Sequence, residues 1–142
     1  MLDQEPSVFT RIIRGELPAR FVWSDDRAVA FLTIEPIRPG HTLVIPREQV
    51  DRWTDLELPT WLHLNEIALT LGRAISETFG GVRVATIIAG LEVPHTHIHL
   101  IPFEKENELS FANADPNASA ESLDAAAESI RATLHAQSSG PR

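Results

Sequence analysis

Val93-Pro94-His95-Thr96-His97-Ile98-His99-Leu100-Ile101-Pro102 is the stretch whose reading decides the fold. Three of the chain's six histidines stand there at alternate positions. The residues between and after them are β-branched or aliphatic, and prolines bound the run, which favours a short strand over a helix. Side chains alternate between the two faces of a strand. His95, His97 and His99 are therefore expected on one face, and Thr96, Ile98 and Leu100 on the other. One face is a row of imidazoles; the other is fit for a core.

Successive residues on one face of a strand lie roughly 6.5–7 Å apart. Adjacent histidines can share a metal ion, but His95 and His99 are about 13 Å apart at their Cα atoms by the same rise. A zinc site would need a third ligand from elsewhere. An extended anion suits the row better, with a central nucleophile or base and a helper on each side. Imidazole fits that work because its ordinary pKa, about 6.5, lets it attack, accept or donate a proton near neutral pH.

Composition narrows the setting. A chain of 142 residues with 43% hydrophobic content suits one domain with a real core. The absence of cysteine excludes disulfides and thiolate zinc sites. No apolar run is long enough to span a bilayer, and Met1–Glu5 does not begin a secretory signal, so a cytoplasmic protein without membrane contact is expected. The net charge of −8 argues against a nucleic-acid partner, which requires a basic face. It leaves room for a small anionic ligand at one local site.

Outward from the histidines, the chain reads as alternating short elements. Ser7 is a plausible N-cap for a helix carrying Val8, Phe9, Ile12 and Ile13, with Gly15 as its stop. Strands are expected at 20–24 and 27–33, joined by a turn at Asp25-Asp26. Val29, Phe31 and Thr33 face one way in the second, and Ala28, Ala30 and Leu32 the other. A loop at Glu35–Gly40 precedes a strand at His41–Pro46. Leu64, Ala68, Leu71, Ile75 and Phe79 recur at helical spacing over 60–79, a long amphipathic helix closed by Gly80-Gly81. A strand at 83–89 follows, then the histidine strand, a polar loop at 103–116 anchored by Phe111, and a helix at 119–137 capped by Ser119 or Asn117. Residues 1–137 form one domain, with 138–142 a disordered tail. The fold class is α+β: about five mainly antiparallel strands, one long helix and flanking helices packed on one face.

Several segments together resemble the histidine triad (HIT) superfamily. The central run fits its H-φ-H-φ-H-φ-φ pattern, with Thr96 partly apolar. Val8–Pro18 resembles the family's opening helix, Asp25-Asp26-Arg27 with Ala30-Phe31-Leu32 its first hairpin, and Pro39–Pro46 its next strand. The resemblance implies a homodimeric HIT-like fold that binds a purine nucleotide and acts at an α-phosphate, on dinucleoside polyphosphates, nucleoside phosphoramidates or related adenylylated compounds. It implies that His97 is the nucleophile, forming a nucleotidyl-imidazole that water hydrolyses, with its other nitrogen held by the backbone carbonyl of His95. It further implies that His95 and His99 contact phosphate oxygens or the leaving group, that His41 is a fourth imidazole at the site, and that no metal or other cofactor is required. The base slot it implies comprises Phe9, Ile12, Leu17, Phe31, Leu32 and Leu43.

Three features depart from the family pattern. Thr33 stands where an Asp commonly contacts the ribose hydroxyls; its hydroxyl can hydrogen-bond but offers no bidentate carboxylate. The loop Ile87–Glu92 is short and lacks the usual amide, with Leu91 at a commonly polar position. Thr10 occupies a position often held by a zinc-binding cysteine, so no structural zinc is expected. A nucleotide-binding module with little catalysis, and metal-dependent hydrolysis at an H-x-H pair, are the competing readings.

Overall fold

The computed structural model of the chain describes residues 4–139. Five strands form one sheet in the order β1-β2-β3-β5-β4, antiparallel throughout. They are β1 (Phe21–Ser24), β2 (Ala28–Leu32), β3 (Thr42–Pro46), β4 (Arg83–Ile87) and β5 (Ile98–Phe103). The helices are α1 (Val8–Ile13), α2 (Leu58–Thr78) and α3 (Ala120–Ser139). α2 and α3 pack together over one face of the sheet, and α1 lies with the other.

Local chemistry sets the element ends. Ser7 Oγ accepts the Thr10 N–H at the start of α1, satisfying one of the donors a helix leaves free there. In the β1–β2 turn, Asp25 Oδ1 accepts the backbone N–H groups of Arg27 and Ala28, while Oδ2 takes Trp23 Nε1 and meets His63 of α2 at 2.7 Å. Burial pushes the pKa of this carboxyl up, but those four partners outweigh it and hold the group well below the usual carboxylate range. Ser119 Oγ accepts the Ser122 N–H at the head of α3. α3 runs on to Ser139, where the sequence reading puts a disordered tail over 138–142; residues 140–142 lie outside the described residues.

Two packed layers share the sheet between them. On the helix side, Ala28, Ala30, Leu32, Val44, Ile98 and Leu100 meet Leu64, Ile67, Leu71 and Ile75 of α2 and Ala127 and Ile130 of α3. On the other side Phe9, Val29, Phe31, Leu43 and Ile45 form a smaller cluster, with Ile12 and Val93 against it. Alternation along β2, β3 and β5 sends each strand's residues to both layers. Gly40 joins the layers at a tight point. Its φ is +96°, and a Cβ there would run into the Phe79 ring at the end of α2, so only glycine fits before His41.

Among the described residues, no helix is long and apolar enough to cross a membrane.

Candidate active site

The histidines lie on the face opposite α2 and α3, but only His99 is within the strand. β5 begins at Ile98. The expected strand over His95 and His97 does not form because its backbone bonds go elsewhere: His95 N–H donates to Val93 O, and Thr96 donates both N–H and Oγ–H to Val50 O. These bonds hold residues 95–97 against the loop after β3 instead of β4. The alternation of faces survives. The His97 and His99 rings lie 4.9 Å apart, while Ile98 and Leu100 enter the helix-side core.

Partners fix the tautomer of the His41, His95, His97 and His99 rings. His97 Nδ1 lies 2.7 Å from the carbonyl of His95, so Nδ1 carries the proton and Nε2 keeps its lone pair. Among the described residues no buried side-chain nitrogen or oxygen lacks a partner. His97 Nε2 has none in the protein, so it reaches solvent although the residue as a whole is buried. This is an imidazole aimed outward with its far side tethered.

His41 and His99 form a second unit. The Ile37 N–H donates to His41 Nδ1 at 3.0 Å, which places the His41 proton on Nε2. His41 Nε2 in turn donates to His99 Nδ1 at 2.9 Å. His99 Nε2 therefore carries a proton and serves as a hydrogen-bond donor beside His97. Burial lowers the pKa of His41 to about 4 and of His99 to about 3, with further lowering from the positive charge His97 would carry. Burial also lowers the pKa of His97, partly offset by its bond to the His95 carbonyl. All three imidazoles are neutral at pH 7, the state a nucleophile requires.

His95 has a different place from the one expected. It is fully buried, its Nε2 donates to Pro46 O at 2.8 Å, and its Nδ1 lies 2.7 Å from Ser7 Oγ and 3.3 Å from Thr10 Oγ1. Both ring nitrogens are taken by protein, so His95 does not contact a phosphate oxygen or leaving group. Thr10 Oγ1 also donates to Gln49 Oε1, which accepts the Ser7 N–H, and Gln49 Nε2 donates to Glu5 O. Ser7, Thr10, Gln49 and His95 thus close a hydrogen-bonded knot that ties α1 to the backbone carrying the His97 acceptor. Ser7 was legible only as a helix cap, and nothing in the sequence singled out Gln49. Among the described residues no three histidine, cysteine or acidic side chains are grouped to hold a metal ion.

The expected base-slot residues divide. Phe9, Phe31 and Leu43 lie together on the histidine face, with Ile12 packed against them. The Phe9 ring meets the His97 ring edge-on at 4.9 Å. Leu17 is half-buried on the turn after α1 and lies outside that cluster. Leu32 points into the helix-side core at 3% exposure and cannot touch a ligand on the histidine face. Thr33 follows β2, where its Oγ1 accepts the Glu35 N–H and its own N–H donates to His41 O. Phe111, read as a loop anchor, instead meets the His99 ring at 5.0 Å.

Fold and site together describe an α+β scaffold that presents one tethered, neutral imidazole with an open nitrogen beside a donor imidazole. The HIT domain family model matches residues 14–106, and the chain belongs to that family. An uncharacterized HIT-like protein of Borreliella burgdorferi is 37% identical over 114 residues, covering 73% of this chain and 80% of that one. A bis(5′-nucleosyl)-tetraphosphatase (asymmetrical) of Schizosaccharomyces pombe is 32% identical over 99 residues, covering 63% of this chain and 54% of its own. A zinc-bound histidine triad family protein of Mycobacterium smegmatis superposes with a TM-score of 0.80 at 26% identity, covering 93% of this chain and 95% of that one.

Proposed function

We propose that this protein is a nucleotidyl hydrolase or transferase acting at the α-phosphate of a nucleoside phosphoramidate or dinucleoside polyphosphate, with His97 as nucleophile. The observation that carries the reading is the 2.7 Å bond from His97 Nδ1 to the His95 carbonyl together with the open Nε2. In the first step a bond forms from Nε2 to the α-phosphorus as the bond to the leaving group breaks. His99 Nε2–H donates to a phosphate oxygen or to the departing atom. Water then attacks the phosphorus, releases the nucleoside monophosphate and restores the neutral ring. Splitting one displacement into two steps through a good leaving group lowers each barrier. Protein donors supply the charge stabilisation in this reading, and no metal or other cofactor is required.

The purine would lie against Phe9, Ile12, Phe31 and Leu43, whose aromatic and aliphatic faces can pack on a π-face. A fluorogenic adenosine phosphoramidate and diadenosine polyphosphates test the chemistry. Turnover should fall at least about 10³-fold in His97→Asn, by analogy with loss of other catalytic nucleophiles. Wild-type turnover that this variant leaves intact contradicts the reading.

A second reading, nucleotide binding with little catalysis, has its own support. The short loop before the triad presents Leu91, almost fully exposed, and no side-chain donor is bonded into the site from it. Tight mononucleotide binding without turnover is its signature.

The same proposal makes the protein a cytoplasmic homodimer. A groove of about 1060 Å³ runs between α2 and the outer edge of β4, with Leu69, Gly72, Val84 and Phe103 in its walls. Leu69 is more than half exposed beside that unpaired edge, and Leu62, two turns earlier on α2, is as exposed. A second copy, adding its own edge strand and helix, covers both features. Leu69→Arg should shift the sedimentation coefficient to that of a monomer.

A further inference from the structure

A cavity of about 450 Å³ opens on His97 between two loops, one running from β3 to α2 and the other from β4 to β5. The second loop lines it with residues 88–91, whose side chains are aliphatic or, at Gly90, absent, and so offer no donor. The first loop brings Asp51, Arg52 and Trp53. Among the described residues, Arg52 is the one permanent cation in the lining and Asp51 the one acid. Phe9, Phe31 and Leu43 stand outside this cavity, in the smaller core cluster.

The backbone around Arg52 is held on both sides. Thr96, between His95 and His97, donates its N–H to Val50 O at 2.7 Å and its hydroxyl to the same oxygen at 2.8 Å. Beyond Arg52 a 3-10 turn forms at Trp53–Asp55, where the Asp55 N–H donates to Arg52 O at 2.9 Å. The Trp53 ring stacks on Trp61 of α2, with centroids 4.7 Å apart. The Arg52 side chain, by contrast, is exposed, and among the described residues no carboxylate, Asp51 included, pairs with it. On a chain of net charge −8, this is a local positive charge on a fixed loop beside the reactive imidazole.

We propose that Arg52 is a specificity-determining residue for the leaving group, favouring one that carries negative charge next to the scissile bond, such as a phosphate chain, over a neutral amine. The inference rests on the reading that the α-phosphorus sits at His97. With the purine against Phe9 and its neighbours, the cavity receives the group beyond that phosphorus. As the bond from Nε2 to phosphorus forms, the bridging phosphorus–oxygen bond breaks and its electron pair stays on the departing phosphate. The charge there grows through the step, so a guanidinium beside it binds the transition state more tightly than the ground state. A departing amine takes the pair on nitrogen and needs a proton, which a guanidinium does not give up. Arg52 therefore serves the first class of leaving group and not the second.

Binding to His97→Asn separates the inference from the catalytic reading. Calorimetric titration compares magnesium-free ATP, whose leaving group is pyrophosphate, with an adenosine phosphoramidate whose leaving group is methylamine. ATP should bind more tightly. Adding Arg52→Ala should weaken ATP at least about tenfold, the effect of losing one charge-assisted hydrogen bond, and leave the methylamide within twofold. Arg52→Glu should weaken ATP further than Arg52→Ala does. Equal affinity for the two ligands, an unchanged ATP affinity in Arg52→Ala, or an equal loss for both ligands overturns the proposal. A preference for ATP that Arg52→Ala removes, in a protein whose parent never turns over substrate, supports it and contradicts only the catalytic reading. No binding of either ligand overturns both.

Discussion

The two faces of the sheet use the same strands for opposite ends. On the helix side, Leu71, Ile75, Ile98 and Leu100 are packed with almost no exposure and no polar group to satisfy. On the histidine side, buried imidazoles bring polar atoms into a thinner layer, and each nitrogen needs a partner. One face is stabilised by area, the other by pairing. Pairing leaves a choice that area does not: which nitrogen is tied down and which is left open. His95 has both tied, His97 has one free, and that difference separates a structural histidine from a reactive one.

The contrast breaks most sharply under acid. An unfolded histidine titrates near 6.5, whereas His41 and His99 in the fold titrate at about 4 and about 3. Between those values the unfolded chain binds more protons, so their contribution is fully present above about 6.5 and is lost as pH falls. Denaturant unfolding should show stability lower by roughly 4 kcal/mol at pH 5 than at pH 8. The loss should shrink by about half in His41→Phe; a flat profile in the parent chain contradicts the neutral, buried assignment.

On the helix face the corresponding probe is Leu71→Ala, which leaves a cavity among Leu64, Ile75 and Ile98. It should cost about 3 kcal/mol at both pH values and leave nucleotide affinity unchanged at a temperature where the variant is folded. A pH-dependent cost would mean the two layers are coupled more tightly than their separate packing implies.

Ser7→Ala sharpens the comparison at their junction, with the smallest effect of the three. It removes the cap of α1 and the hydroxyl donor to His95 Nδ1, for a loss of about 2 kcal/mol. Turnover should fall several-fold with little change in KM, because the lost bond positions the carbonyl that holds His97. Ser7→Thr keeps a hydroxyl and should recover most of both losses.

Much of the fold was legible because its signals are local. Ser7 as a cap, the Asp25 turn, the apolar stripe of α2 and the Gly80-Gly81 stop depend on neighbours within a few residues. Alternation also placed Phe31 and Leu32 on opposite faces, and the motif-based slot that included both set this aside wrongly. The histidine run was harder. Spacing tells which way side chains point, but not where the backbone finds its hydrogen bonds; for Thr96 that is Val50, 46 residues earlier. The role of His95 depends on Ser7 and Pro46, 88 and 49 positions away, so its confinement had no sequence signature. Phe111 looked like a loop anchor because an isolated aromatic in a polar segment carries no period.

The central claim is that an open, neutral His97 Nε2 takes the phosphoryl group. Acid would cleave a phosphorus–nitrogen bond, so the reaction is stopped with alkaline denaturant within one turnover and the intact protein is weighed. The account predicts a transient mass increase of one nucleoside monophosphoryl group, mapped by peptide fragmentation to His97 and absent in His97→Asn. Full product release with no adduct at any time, or an adduct carried by His99 or His41 instead, would contradict it.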